Sequence, residues 1–187
     1  MEIVPFLEAI TTLGDPGFIL AASGGLFATL IAVGERRTAF ALAVALAASA
    51  SVTATAKIVF MAFGPPSVYS PSGHAAMATV FLLSLGAIAA RAHGLSGALC
   101  AVFALAVAAS RVALGVHSLA EAVIGVAIGL CAFAVFARLA ARRSAVGQGP
   151  IIAGFAAALC LHVVVGSRFS VEEPLQQAAA ALREMAR

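Results

Sequence analysis

Seven residues near the ends of apolar runs carry side chains that can do chemistry: Lys57, Ser72, His74, Ser110, Arg111, His117 and Glu121. Two cations, two histidines, two hydroxyls and one carboxylate, with no acidic cluster, suit an oxyanion, phosphate above all. In the run Tyr69-Ser70-Pro71-Ser72-Gly73-His74, Ser70 reads as a helix N-cap and Pro71 as the first helical residue. The amides of Ser72 and Gly73 then open a helix N-terminus, which carries about half a positive charge and attracts anions. Gly73 also lets a ligand approach the backbone closely. His117 and Glu121 stand four apart, which puts them on one face of a helix. A carboxylate so placed can accept from one imidazole nitrogen, fix the tautomer and leave the other nitrogen to attack.

The elements that position these residues are dictated by composition. Of the 187 residues, 63% are hydrophobic and 10% charged, against roughly 45–50% and about 25% in an ordinary soluble domain. Mean hydropathy is +1.09. A water-soluble globule of this size cannot hide so much apolar surface, and 11 basic residues scattered singly make no nucleic-acid-binding face. A soluble domain, a disordered chain and a nucleic-acid binder are excluded; the lipid bilayer is the expected surrounding. In lipid each backbone polar group must be paired within its own segment, so the runs must be helices. Six candidate spans follow, at 18–34, 38–56, 75–90, 95–110, 118–137 and 150–166, each near the roughly 17–25 residues needed to cross hydrocarbon. Their many Ala, Gly and Ser residues permit close helix approach. The expectation is an all-α integral membrane protein, a six-transmembrane-helix bundle forming a single domain over residues 1–187. Residues 1–17 read as an interfacial N-terminus, 18–166 as the bundle and 167–187 as a polar C-terminal helix lying in solvent or on the surface.

Basic residues set the expected orientation. Arg36, Arg37, Arg91, Arg138, Arg142 and Arg143 follow spans one, three and five, on one side. The positive-inside rule places that side in the cytoplasm. Both termini and the chemical cluster then face outward across a cell inner (cytoplasmic) membrane. No basic region precedes an apolar core at the N-terminus, so no cleavable signal peptide is expected. Cys100, Cys131 and Cys160 lie singly within apolar runs and read as filler. His93 and His162 fit no motif.

Taken together, the residues resemble the type 2 phosphatidic acid phosphatase superfamily, whose motifs read Lys-x6-Arg-Pro, Pro-Ser-Gly-His and Ser-Arg-x5-His-x3-Asp. Here they stand as Lys57-x6-Gly64-Pro65, Pro71-Ser72-Gly73-His74 and Ser110-Arg111-x5-His117-x3-Glu121. The resemblance implies a metal-independent phosphatase, without cofactor, that hydrolyses a lipid phosphate or diphosphate through a phosphohistidine. It implies His117 as nucleophile, Glu121 as its orienting carboxylate and His74 as general acid, with Lys57, Ser72, Gly73 and Arg111 holding the phosphoryl oxygens. Two positions depart from the pattern. Glu121 replaces Asp, a difference of one methylene. Gly64 replaces Arg, and residues 58–73 contain no other Lys, Arg or His until His74; restoring Arg at position 64 is expected to add a contact to a phosphoryl oxygen. A second reading stays open because of Gly64: a binding or transport protein that keeps the phosphate pocket without turnover.

The orientation is tested by thiol labelling in intact cells. A cysteine placed at Ser67 is expected to react with a membrane-impermeant thiol reagent and one at Ser144 is not; reversed labelling puts the cluster in the cytoplasm.

Overall fold

The computed structural model describes residues 3–65, 68–89, 95–140, 156 and 172–186, and the regular structure among them is entirely helical. In chain order the helices are α1 (Ile3–Thr12), α2 (Pro16–Ala32), α3 (Arg36–Phe63), α4 (Gly73–Ala89), α5 (Leu95–Ala113), α6 (Leu119–Leu139) and α7 (Glu172–Met185). Their ends follow local chemistry. Asp15 caps α2 by accepting from the Gly17 and Phe18 amides at 2.9 and 3.1 Å, with Pro16 at the first position. Gly34, at φ 84°, closes α2 as the Glu35 and Gly34 amides turn back to the Leu30 and Ile31 carbonyls.

α4 is the centre of the bundle. Ten of its residues are buried, among them Ala75, Val80, Phe81 and Ile88, and α2, α3, α5 and α6 all pack against it. The approach of α6 to α4 is very close because Gly125 and Gly129 face it: a Cβ on Gly125 would stand 2.4 Å from the Ser72 carbonyl oxygen, and one on Gly129 would stand 2.6 Å from that of Ala76. This Gly-x3-Gly face fixes the N-terminus of α4 beside that of α6. At the opposite end, Arg37 Nε donates to the Leu139 carbonyl at 2.8 Å, tying the start of α3 to the end of α6.

The outward faces are apolar: Phe40, Val44, Val102, Leu105, Val123 and Leu130 are all exposed, an arrangement that fits lipid contact. By length and composition α3 and α6 are each able to cross a membrane, and α1 with α2, bent by 43° between them, pass the same test as a pair. Among the described residues this gives two clear spans or up to three; α4 and most of α5 are shorter apolar helices. The expected sixth span, 150–166, falls outside the described residues except for position 156, as do Arg91, His93, Arg142, Arg143, Cys160 and His162. Two expectations change. Lys57 does not end its helix, for α3 runs on to Phe63, and the C-terminal helix is docked on α3 with Ala179 buried against Met61 and Ala62.

The α4–α6 contact has a direct test. Gly125→Ala forces a methyl against a backbone carbonyl and is expected to cost about 1–3 kcal/mol of overpacking. Gly24→Ala, where the added methyl meets nothing within 4 Å, leaves stability unchanged or raises it by about 0.5–1 kcal/mol. Thermal unfolding of the purified variants in one detergent compares them; equal melting temperatures contradict the close packing.

Candidate functional site

α4 and α6 begin, α5 ends and α3 approaches its end at the same end of the bundle, and this brings the sequence motifs together. The turn from α5 to α6 is built on Gly115, whose φ of 69° suits a residue without a side chain. Its amide returns to the Val112 carbonyl at 3.0 Å and that of Val116 to the Arg111 carbonyl at 3.2 Å, a Schellman ending. The His117 amide also reaches the Arg111 carbonyl, at 3.2 Å. This ending is the physical content of the five-residue spacer between Arg111 and His117.

His117 lies before α6, not on it, because Ser118 is the N-cap. The expected helix-face pairing with Glu121 is therefore made another way. Glu121 occupies the third position of α6 and completes a capping box: its Oε2 accepts from the Ser118 amide at 2.9 Å while the Ser118 hydroxyl accepts from the Glu121 amide at 3.3 Å. The same Oε2 stands 3.1 Å from His117 Nδ1. Oε1 accepts from the Tyr69 and Ser70 amides at 2.7 and 2.8 Å. With Nδ1 facing a carboxylate, Nε2 is the ring nitrogen turned away from that bond. Burial pushes the His117 imidazole below its ordinary range, and the charges of Arg111 and Lys57 act in the same direction; the hydrogen bond and charge of Glu121 pull it partly back.

The second motif opens α4 two residues later than expected. Ser72, not Ser70, is the cap, its hydroxyl 3.4 Å from the Ala75 amide and its carbonyl accepting from Ala76 at 3.1 Å. The Ser72 amide is already committed, donating to the Glu121 carbonyl at 3.0 Å. The first-turn donors available to an anion are thus those of Gly73 and His74. Beside Gly73 stands Lys57, whose Cε is 3.7 Å from where a glycine Cβ would be. Lys57 Nζ donates to the Ser70 hydroxyl at 3.3 Å and to Glu172 at 2.8 and 3.0 Å. His74 lies within electrostatic reach of Arg111, Asp15, His117 and Lys57.

Arg111 donates through Nη1 to the Thr11 hydroxyl at 3.3 Å, while its Nε is buried without a partner among the described residues. A buried guanidinium N–H lacking an acceptor is costly, and an oxyanion beside it would remove that cost. Ser110 is buried and its hydroxyl turns back to the Val107 carbonyl at 2.8 Å, so it serves its own helix. Tyr69 is exposed and contributes its amide to Glu121. Among the described residues no three His, Cys, Asp or Glu groups stand together in a way that could hold a metal ion.

Position 64 does not simply await an Arg. Gly64 caps α3 at φ −70° and ψ 162°, so positive φ is not the obstacle. A Cβ there would meet the Phe60 carbonyl oxygen at 2.5 Å and Phe60 Cα at 3.0 Å, and an arginine requires the backbone to shift. Sequence reasoning missed three contributors. Glu172 comes from a distant helix and Thr11 from the N-terminal corner, with no motif to mark either. Ser118 could have been found, since Ser118-x-x-Glu121 is a capping-box signature.

A family model described as the PAP2 superfamily matches residues 52–145, which include all three motifs. No curated protein and no solved structure matches the chain.

The electrostatic arrangement predicts a titration. Because burial favours the neutral ring, His117 is expected to take up its proton below the ordinary imidazole value of about 6.5. Glu121→Gln removes the group that pulls this value up and is expected to move it lower still. NMR of ring-labelled histidine, assigned with a His117→Ala variant, measures both; an unchanged or raised value in Glu121→Gln contradicts the geometry.

Proposed function

From a chain that belongs to the PAP2 superfamily, we propose an integral-membrane phosphatase that hydrolyses a lipid phosphate or lipid diphosphate without metal or cofactor. The observation that carries this reading is the His117–Glu121 pair, held at 3.1 Å, beside Arg111 and Lys57 at the mouth of a helix N-terminus. His117 Nε2 attacks phosphorus, forming a P–N bond as the P–O bond to the lipid breaks. His74 gives its proton to the departing lipid oxygen. Water then attacks phosphorus, the P–N bond breaks, inorganic phosphate leaves and a water proton restores His74. Glu121 holds the His117 tautomer and stabilises the charged ring, while Lys57, Arg111 and the Gly73 and His74 amides take the phosphoryl oxygens as charge develops on them.

Depth supports the lipid substrate. Arg36 to Lys57 spans about 32 Å of helix, close to the roughly 30 Å of hydrocarbon. With the arginine-bearing end of α3 at one interface, Lys57 reaches headgroup depth at the other, where a phosphate is cleaved while its acyl or prenyl tail stays in the bilayer. In this reading the chain is a six-span protein of the cell inner membrane, with its site and both termini on the outer face. The bilayer and its lipid phosphates are its partners.

Purified protein is expected to release phosphate from at least one of phosphatidate, phosphatidylglycerol phosphate, a polyprenyl diphosphate or a lipid A phosphate, undiminished by chelator. His117→Ala is expected to abolish release, a loss of roughly 10⁴-fold or more. Absence of release from every lipid, with lipid binding that survives His117→Ala, favours instead a binding or transport protein that keeps the pocket. Activity lost in chelator and restored by Mg²⁺ overturns the metal-independent mechanism.

A further inference from the structure

The ion pair between Lys57 and Glu172 is not explained by the chemistry above. Lys57 Nζ donates to both carboxylate oxygens of Glu172, at 2.8 and 3.0 Å. The two side chains differ in exposure: that of Lys57 is 8% exposed and that of Glu172 is 42% exposed. A buried ammonium needs an anion, since stripping water from an unpaired charge is strongly unfavourable. Glu172 supplies that anion, and it does so with two oxygens at the distances a phosphoryl group would use. Its charge also reaches Arg111, the other cation of the pocket.

The helix that carries this carboxylate is lightly held. α7 rests on the end of α3 through Leu175, Ala179 and Leu182 against Ile58, Met61 and Ala62. At its far end Arg183 donates from Nε to the Ala62 carbonyl at 3.2 Å and from Nη2 to that of Met61. The result is a short amphipathic helix with one small apolar patch and a polar anchor at each end, one of which lies on a phosphate-binding cation.

We infer that Glu172 is an internal competitor for the phosphate subsite at Lys57, carried on a C-terminal helix that caps the site. Substrate binding then exchanges one anion for another on a lysine that is never left bare. The carboxylate sets the affinity of the site for phosphoryl groups, and it does so without touching the nucleophile, so it acts on KM and on inhibition by phosphate more than on kcat. This inference rests on the pocket being a phosphate site.

The test uses the full-length protein in detergent, with inorganic phosphate as the probe and dioctanoyl phosphatidate as a soluble-chain substrate. Glu172→Gln keeps the shape and removes the charge. It is expected to lower KM, the inhibition constant for phosphate and the phosphate concentration that raises the melting temperature, together and by roughly 3- to 10-fold, with kcat within about twofold. Arg183→Gln cuts the far anchor and is expected to shift the same quantities in the same direction by less, so the idea stays testable if Glu172→Gln folds poorly. In a Lys57→Met background the gain from Glu172→Gln is expected to shrink to the small part that its reach to Arg111 leaves. Unchanged or weaker phosphate binding in Glu172→Gln, or an equal gain without Lys57, overturns the competitor role. Tighter phosphate binding in a protein that hydrolyses none of the lipids keeps this inference and removes the phosphatase; hydrolysis with no effect of Glu172 does the reverse.

Discussion

The site depends on one buried carboxylate. Glu121 lies 7% exposed at the start of α6, where an ionised group survives only if its lone pairs are filled. They are filled from three directions: the Tyr69 and Ser70 amides from the loop before α4, the Ser118 amide from its own cap, and His117 Nδ1. Each of these bonds satisfies the charge and also fixes a piece of backbone. The loop that leads into α4 is drawn onto α6, so the first-turn amides of α4 and the His117 ring are brought to one end of the bundle. The longer side chain matters here. From the third position of a helix, Glu reaches back past its own cap to both the Ser118 amide and the ring, the reach on which a capping box depends.

That arrangement works because the helices beneath it leave no slack. Gly125 and Gly129 bring α6 against the Ser72 and Ala76 carbonyls, and a side chain at either place would pry apart the two helix starts that Glu121 joins. The N-terminal corner closes another side: Gly14 packs so tightly that a Cβ there would meet Val107 and the His74 backbone, which sets Thr11 at Arg111 and Asp15 near His74. Function at this end therefore rests on small residues further down the helices, and polar satisfaction and close packing act as one constraint.

Much of this was legible in the sequence, for a physical reason. Ionisable groups are expensive near hydrocarbon, so Lys57, His74, Arg111, His117 and Glu121 stood out against an apolar background, and their spacings encode local devices: a helix start, a Schellman turn, a cap. The helical class followed from composition alone. What escaped was long-range or depended on register. Nothing in Glu172-Glu173-Pro174 announces a partner 115 positions earlier, and an acidic first turn reads more naturally as complement to a helix dipole. A cation at the end of an apolar run predicts a helix that stops before Lys57, whereas α3 continues to Phe63 with the lysine buried and paired. Two serines with cap chemistry flank Pro71 and the sequence favours Ser70; the tertiary bond from the Ser72 amide to the Glu121 carbonyl decides for Ser72.

The end of α3 explains why a glycine can stand where the family pattern has an arginine. A helix leaves its last four carbonyls without intrahelical partners. Here the Phe60 carbonyl takes the Gly64 amide at 2.7 Å, and those of Met61 and Ala62 take the guanidinium of Arg183. The tight return at Gly64, with Phe60 filling the space a Cβ needs, leaves no room for a side chain without moving the backbone. A guanidinium does stand at this helix end, but it comes from α7 and is committed to carbonyls. The cation that the first motif would have supplied is thus traded for a docking point, and the helix so docked delivers Glu172 to the remaining cation of that motif, Lys57. Loss of the arginine and arrival of the carboxylate change the pocket in the same direction, toward a lower positive charge. A pocket with one cation fewer, and with a carboxylate seated on another, attracts any anion less strongly than the full family pattern would.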